Sequence, residues 1–156
     1  TSTAFDTVNQ QIAVGATGLT IAKLRAAKKI LMTNEVDVEN DPLYIAVTAT
    51  QLDELLGTTE VTSADFNTVK ALVQGTVDSF MGFKFIHTEL LGLDGSGDQR
   101  CIAWAKSGLH LGMWNDINTK ISERADKSYA TQVYVKGTFG ATRVEEGKVV
   151  EIICNL

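Results

Sequence analysis

Apolar and polar residues alternate through the last third of the chain, and this alternation predicts two β-strands. A period of two residues places successive side chains on opposite faces, as in a strand with one buried face. Glu145-Glu146-Gly147 would connect the strands, with the glycine in the left-handed conformation that such loops need. The pattern therefore predicts a terminal β-hairpin without catalytic residue types. Its first strand presents Thr131, Val133, Val135, Gly137 and Phe139 on one face and Gln132, Tyr134, Lys136 and Thr138 on the other, and its second strand, residues 148–154, places Val150, Ile152 and Cys154 on a shared face.

Helical spacing of apolar residues begins after Thr20, a residue type that caps helices. We expect the basic residues of this helix to be solvated, and those in its C-terminal half suit the negative end of the helix dipole. The sequence therefore predicts an amphipathic helix that packs on one side only. It carries Ile21, Leu24, Ala27, Ile30 and Leu31 on the apolar side and Lys23, Arg25, Lys28 and Lys29 largely opposite.

Strands and short helices follow one another irregularly through the middle of the chain. Thr48 and Gln51 match a capping box, and Gly57 is placed to end the helix that follows. Because strand, helix and strand do not alternate regularly, the order predicts an α+β fold. We expect a loosely ordered lead-in over 1–18, a strand over 43–47, helices over 49–57 and from Thr62 or Ser63 to Gly75, a strand over 82–91, a flexible loop over 94–98, a buried strand over 101–105, a short helix from Ser107 to Trp114, and a strand over 117–121.

Composition places the chain among ordinary globular proteins. Its 156 residues, 44% apolar and 21% charged, fit one domain or two small lobes. The net charge of −5 and the mostly scattered basic residues disfavour binding to nucleic-acid phosphates, which needs a clustered positive face. No apolar run approaches the ~20 residues that span a bilayer and no leader pattern opens the chain, so we expect a soluble intracellular protein. A start at Thr1 without methionine indicates processing, truncation or trimming.

Two segments begin like ligand-binding motifs and then depart from them. Residues 37–41 offer alternating acidic groups like a calcium loop, but Pro42 replaces the turn glycine and Thr48 replaces the final glutamate. Residues 95–100 begin like a dinucleotide fingerprint, but Arg100 stands where the third glycine is needed. We interpret the first segment as an acidic surface turn, and we assign no metal, cofactor or nucleotide site.

Two cysteines and two histidines are the remaining candidates for chemistry. Neither His87 nor His110 has the spacing of a zinc or metalloprotease site, and the apolar strand patterns around Cys101 and Cys154 are typical of buried thiols. Cys101 with either histidine leaves a small cysteine hydrolase open, because such groups converge only in three dimensions. Cys101 is not at a helix N-terminus, where a thiolate would be favoured, so we assign no catalytic residue. A stacking platform for sugars or bases also stays open, although core or subunit contact is the more usual role of these residues: Trp104, Trp114, Tyr134 and Phe139.

Several segments together resemble the major capsid proteins of tailed bacteriophages. None of them is a catalytic motif, so the resemblance depends on their joint order, which spans nearly the whole chain. Residues 140–152 read Gly-Ala-Thr-Arg-Val-Glu-Glu-Gly-Lys-Val-Val-Glu-Ile and resemble the C-terminal end of that family. Residues 19–31 are similar to the later part of its long spine helix, and residues 43–56 and Gly82-Phe-Lys-Phe85 complete the set.

The resemblance implies a structural subunit that is not an enzyme and that self-assembles into pentameric and hexameric capsomers. These would form an icosahedral shell around phage DNA, with no membrane partner and no specific nucleic-acid binding; the protein would be made in the host cytoplasm and reside in the virion. A scaffolding protein stays open as a partner, and an encapsulin-like bacterial compartment shell is the alternative function.

The resemblance also implies a division of the chain into domains. Residues 1–42 would be the lead-in and spine helix of a peripheral domain, 43–125 mainly an axial domain near the capsomer centre, and 126–156 the returning peripheral hairpin. Family members carry an N-terminal arm and an extended loop before the spine helix. Only 18 residues precede the helix here, so we expect a fragment.

Overall fold

The described residues form a six-stranded mixed sheet with helices against it, and a separate two-stranded ribbon. The computed structural model describes residues 5–6, 8–57 and 79–155, and the helix predicted from Thr62 or Ser63 to Gly75 lies outside them. The mixture of helices and sheets confirms the α+β prediction. The elements are β1 (Gln11–Ile12), α1 (Ile21–Thr33), β2 (Leu43–Val47), α2 (Ala49–Gly57), β3 (Ser79–Phe80), β4 (Phe83–His87), β5 (Gln99–Ala105), β6 (Leu109–Arg124), β7 (Ala130–Arg143) and β8 (Val149–Cys154).

The six-stranded sheet has the order β1-β8-β5-β2-β4-β3. Strand β5 runs antiparallel to both β8 and β2, whereas β1 pairs with β8 and β2 pairs with β4 in parallel. Ala103 is opposite Ile45 on one side and Val150 on the other, so these three side chains share one face. All three belong to the buried core, which places the core over the middle of the sheet.

Helix α1 covers this face with the apolar side that the sequence predicted. Leu24, Ala27 and Leu31 are fully buried in the same core as the sheet residues. Thr20 caps the helix, since its hydroxyl accepts a hydrogen bond from the Lys23 backbone N–H at 3.4 Å. No helix within the described residues is long and apolar enough to cross a membrane.

Lys23 departs from the expectation that the basic residues of α1 are solvated. Its side chain is buried, and its ammonium donates to the carbonyl oxygens of Val14 at 2.7 Å, Thr17 at 2.6 Å and Ile153 at 2.8 Å. Burial lowers the pKa of Lys23. Helical spacing could not reveal this role, because all three acceptors lie outside the helix.

The predicted terminal hairpin is wrong in its pairing, although both strands exist. Strand β7 pairs with β6, whereas β8 pairs with β5 and β1 inside the large sheet. Gly147 lies in a short 3₁₀ turn, Glu146–Lys148, and its φ is not positive. The reason for the error is that alternation identifies strands but not their partners. Exposure also differs from the prediction, because β7 is exposed on both faces over almost its whole length.

Three further expectations need correction. The predicted helix at 107–114 is absent: Ser107 lies in a 3₁₀ turn, Lys106–Gly108, where it donates to the Asp41 carboxylate, and β6 begins at Leu109. Within the predicted lead-in, β1 joins the sheet, and the Glu151 N–H donates to the Gln10 carbonyl at 2.7 Å. The strand predicted over 82–91 is confirmed only over β4. The strands predicted over 43–47 and 101–105 are confirmed, as is the helix over 49–57. The loop predicted over 94–98 lies outside the helices and strands and forms a turn, and its flexibility stays a prediction.

We predict that Lys23→Met destabilises the fold by about 2–4 kcal/mol. The substitution leaves three carbonyl groups without their charged donor, and such hydrogen bonds are stronger than neutral ones. Urea unfolding followed by circular dichroism measures the change. Lys29→Met is the matched control on the same helix, since Lys29 is exposed, and we expect it to change the stability by less than about 0.5 kcal/mol. Equal stabilities of the two variants would contradict the role assigned to Lys23.

Candidate assembly surface

Strands β6 and β7 form a long antiparallel ribbon that lies outside the main sheet. Their register runs from Leu109 opposite Arg143 at the root to Arg124 opposite Ala130 at the tip. Cross-strand partners point to the same face of a sheet. Met113 is opposite Phe139 and Ile121 is opposite Val133, so apolar side chains from both strands collect on one side of the ribbon.

We call this side the apolar ribbon face. Its large residues remain between 41% and 68% exposed, although their chemistry is that of a protein core. The opposite face is mostly polar, with Lys120, Ser122, Gln132 and Lys136 among its residues. The apolar ribbon face consists of Leu109, Leu111, Met113, Ile121, Val133, Val135 and Phe139.

An exposed apolar face of this kind carries an energetic consequence. A two-stranded ribbon is marginally stable alone and gains stability when a further strand or another surface covers its apolar side. Contiguous exposed apolar patches on monomers mark interaction sites. Fully burying one valine or leucine side chain contributes roughly 1.5–3 kcal/mol, and this face offers seven large apolar side chains. The ribbon is therefore the strongest candidate for an assembly surface.

The root of the ribbon is fixed to the main sheet by specific contacts. The Val144 N–H donates to the Gly108 carbonyl at 3.0 Å, and a Cβ on Gly108 would lie only 2.8 Å from the Cβ of Lys148. The Arg143 guanidinium lies 4.7 Å from the centre of the Phe5 ring. Lys148 pairs with Glu145 at 2.8 Å, and this hydrogen bond raises the pKa of Lys148. These contacts set the direction in which the ribbon leaves the sheet.

Cys101 and Cys154 lie on the adjacent strands β5 and β8, both fully buried, as the sequence predicted. The Cys101 thiol donates a hydrogen bond to Cys154, and this bond together with burial raises the pKa of Cys101 far above its ordinary value, while the same bond lowers the pKa of Cys154. The thiolate is the nucleophilic form of cysteine, so Cys101 is held in the unreactive form.

Neither histidine completes a catalytic pair with Cys101. Both are exposed, whereas Cys101 is buried in the core. The His87 ring is hydrogen-bonded to the Glu89 carboxylate at 2.8 Å, and His110 lies on strand β6 of the ribbon. Among the described residues, no group of three or more histidine, cysteine or acidic side chains could hold a metal ion. The cysteine-hydrolase alternative therefore has no supporting geometry here.

The two motif-like segments serve local structure. The Asp37 carboxylate accepts hydrogen bonds from the side chain of Asn40 at 2.7 Å and from the N–H groups of Asn40 and Glu39, and these bonds lower its pKa. Asp94 accepts from the N–H groups of Asp98 at 2.9 Å and Ser96 at 2.8 Å, which lower its pKa in the same way. Residues 37–41 are thus a turn, as predicted, and the Asp37 and Asp94 carboxylates accept hydrogen bonds from their own segments.

The four aromatic residues do not form one platform. Trp104 stacks on Tyr44 across strands β5 and β2, with ring centres 5.9 Å apart. The other three belong to the ribbon, where Tyr134 and Phe139 lie on opposite faces. What the sequence could not show is that the apolar residues of β6 and β7 would face solvent together.

Comparison with solved structures identifies the fold. A structure of Mycobacterium phage Che8 matches with a TM-score of 0.71 and 18% identity, covering 92% of this chain and 53% of that one. The acidic stable capsid structure of Helicobacter pylori bacteriophage KHP30 matches with a TM-score of 0.71 and 10% identity, covering 97% and 62%. The holo-SrpI encapsulin complex from Synechococcus elongatus PCC 7942 matches with a TM-score of 0.58 and 7% identity, covering 95% and 54%. The fold is that of phage capsid proteins, and this chain spans between about half and two thirds of the length of these solved chains.

The family follows from the sequence itself. The family model described as phage capsid protein matches residues 1–156, and the chain therefore belongs to that family. Among curated proteins, none matches the sequence significantly. This membership confirms the resemblance to phage capsid proteins on which the prediction rested.

We predict that Cys101 and Cys154 resist alkylation in the folded protein and react fully once it is unfolded. Both thiols are buried, and Cys101 is held neutral. Iodoacetamide labelling followed by mass spectrometry, with and without urea, measures the difference, and the unfolded sample is the control for reagent activity. Rapid selective labelling of Cys101 without urea would contradict this assignment and restore the hydrolase hypothesis.

Proposed function

We propose that this protein is a capsid subunit that assembles with copies of itself through the ribbon into capsomers of an icosahedral shell. The observation that carries the proposal is the apolar ribbon face, which no described residue of the same chain covers. Membership of the phage capsid family supports a copy of the same chain as the covering surface.

The length of the ribbon suits contact between subunits. Its shorter strand has 14 residues, which span roughly 45 Å at about 3.3 Å per residue. A standard protein interface buries ~1,600 Å² in total, and closed symmetry repeats each contact around a ring. Modest contacts at each ribbon would therefore add up to a stable assembly.

The predicted axial and peripheral domains stay predictions. Strands from residues 1–42, 43–125 and 126–156 all contribute to the six-stranded sheet, and the ribbon crosses the predicted boundary at 125. We propose that the two bodies of the subunit are the six-stranded sheet with its helices and the projecting ribbon. This division follows the hydrogen bonding rather than the order of residues.

The same proposal includes pentameric and hexameric capsomers, a scaffolding partner, synthesis in the host cytoplasm and enclosed phage DNA. The net charge of −5 supports the proposal that the shell does not bind its DNA tightly, since an acidic surface repels phosphates.

An encapsulin-like shell is the second candidate, favoured by the match to the SrpI encapsulin structure. Of the three matches described above, the encapsulin match has the lowest TM-score and the lowest identity, and the family model describes a phage capsid protein. The phage capsid is therefore the preferred function.

We predict that Val133→Lys in the full-length gene product weakens subunit association at least about tenfold. A lysine on the apolar ribbon face loses the burial of valine, worth about 1.5 kcal/mol or more, and places a charge in the contact. Sedimentation velocity and electron microscopy measure the assembly. Gln132→Lys, one residue earlier on the opposite face, is the matched control and should assemble like the wild type.

Two outcomes would contradict the proposed ribbon contact. One is wild-type assembly by Val133→Lys with unchanged stability. The other is a wild-type protein that stays monomeric at every concentration and salt tested. Circular dichroism of each variant separates loss of contact from loss of fold.

We predict that assembled particles from infected cells contain phage DNA and no enzyme cargo. A phage capsid encloses a genome, whereas an encapsulin-like shell would enclose an enzyme. Nuclease-protected nucleic acid and the protein composition of purified particles distinguish the two. A stoichiometric enzyme inside particles without DNA would favour the compartment shell.

A further inference from the structure

The outer side of α1 carries a cluster of basic residues without acidic partners. Arg25, Lys28 and Lys29 are neighbours on the helix surface, since residues three and four apart lie next to each other. None of the three forms an ion pair in the part of the chain that the structure describes. Like charges at this spacing repel one another, so the cluster does not stabilise the subunit by itself.

These basic residues border a groove that also contains methionine side chains, and we call it the basic groove. It has a volume of about 390 Å³, and the Lys28 ammonium donates to the Met81 carbonyl at 3.1 Å. Met32 is 54% exposed although its side chain is apolar. The groove therefore offers both positive charge and adaptable apolar side chains to a partner. It is lined by Arg25, Lys28, Lys29, Met32, Thr33 and Met81.

An acidic segment follows directly where the helix ends. Glu35, Asp37 and Glu39 are exposed, and among the described residues none of them forms an ion pair. The sequence has no basic residue over 30–69, so the acidic segment is not neutralised by its neighbours in the chain. Opposite charges are thus separated along the chain, with Met32 between the basic groove and the acidic segment.

Glu35 stands where its own subunit disfavours it. Its φ is 57°, in the left-handed region, and its N–H donates to the Met32 carbonyl at 3.1 Å while the Val36 N–H donates to the Leu31 carbonyl at 3.2 Å. Helix ends of this kind usually carry glycine, because a side chain strains the left-handed backbone. The carboxylate also meets the negative end of the helix dipole. Two local penalties at one exposed residue indicate a role for its side chain outside the subunit.

We propose that two copies of this chain associate through α1 across a two-fold axis near Met32, with Glu35 of each copy paired with Lys29 of the other. Lys29 precedes Met32 by three residues and Glu35 follows it by three, so an antiparallel arrangement brings the two opposite each other. Under two-fold symmetry the same patch serves both copies, and each ion pair forms twice. This contact is separate from the ribbon and does not depend on it.

Charge complementarity favours a second copy over nucleic acid as the occupant. The chain has a net charge of −5 even with this basic cluster, so a DNA duplex would meet a mainly acidic surface. A second copy presents carboxylates at the spacing that the basic groove needs, and it presents its own Met32 to cover the exposed one. A phosphate backbone offers no apolar group at that place. The patch is thus complementary to itself in both charge and polarity.

The experiment exchanges the two charges in the full-length gene product. Every variant carries Val133→Lys, which weakens the ribbon contact, and sedimentation equilibrium at low salt measures dimerisation. Lys29→Glu and Glu35→Lys each place like charges opposite each other twice, and each should weaken association on the order of tenfold. The double variant restores opposite charges in reverse order and should recover most of the lost affinity, as coupled positions do in a double-mutant cycle.

Three controls separate this contact from folding and from the ribbon. Lys120→Glu makes the same charge change on the polar face of the ribbon and should not alter this dimerisation. Glu35→Gly relieves the left-handed backbone and removes the carboxylate, so it should raise the urea midpoint of the unassembled subunit while weakening association. Added salt should weaken the α1 contact, because exposed ion pairs are screened, and should not weaken the apolar ribbon contact.

Three results would overturn this inference and leave the ribbon contact standing. They are a Val133→Lys protein that stays monomeric at every concentration at low salt, single charge variants that associate like their parent, and a double variant that associates no better than the single ones. Binding of a DNA duplex that Lys29→Glu abolishes, in a protein that does not dimerise through α1, would assign the patch to nucleic acid instead. Association that Val133→Lys leaves unchanged but the charge exchange controls would support this contact and remove the ribbon contact.

Discussion

Burial of the last strand, β8, is the constraint on which the described structure depends. All six residues of this strand are buried, and it is hydrogen-bonded to β5 on one edge and to β1 on the other. Polar groups placed inside a protein must find partners there. The Ile153 carbonyl accepts a hydrogen bond from the Lys23 ammonium. The buried Glu151 carboxylate accepts hydrogen bonds from the Arg100 side chain and, at 2.7 Å, from the Gln11 side chain. These bonds connect β8 to α1, β5 and β1, so segments far apart in sequence are held in one body.

The position of β8 also determines that the ribbon stays outside the six-stranded sheet. Because both edges of β8 are occupied, β7 pairs with β6 alone and the two strands leave the sheet together. The close approach of Gly108 to Lys148 and the hydrogen bond from Val144 to Gly108 fix the point of departure. A ribbon held at one end keeps its own register but cannot bury its apolar face against the sheet that carries it. Its order and its association with another surface are therefore coupled.

Sequence reasoning was most successful where structure is decided locally. The cap at Thr20 and the spacing of Leu24, Ala27 and Leu31 determine α1 within a few turns, and the apolar runs of β2 and β5 are typical of buried strands. It failed where contacts between segments distant in sequence determine the structure. The role of Lys23 depends on a carbonyl 130 residues away, and the partner of β7 depends on β8 being held elsewhere. The helix expected at 107–114 failed because that stretch continues as the strand opposite β7, a pairing that its own residues do not reveal.

The candidate site was only half predictable, for a physical reason. Alternation on β7 correctly separated an apolar face from a polar one, and it led to the expectation that the first would be buried. Burial against the same chain and burial against a neighbouring chain produce the same sequence pattern, because both remove the same side chains from water. The fold adds that no described residue buries Val133, Val135 and Phe139, which the sequence pattern could not reveal. In a family of capsid proteins, a strand that looks half-buried in sequence but is exposed in the single subunit is where the contact with the next subunit should be sought.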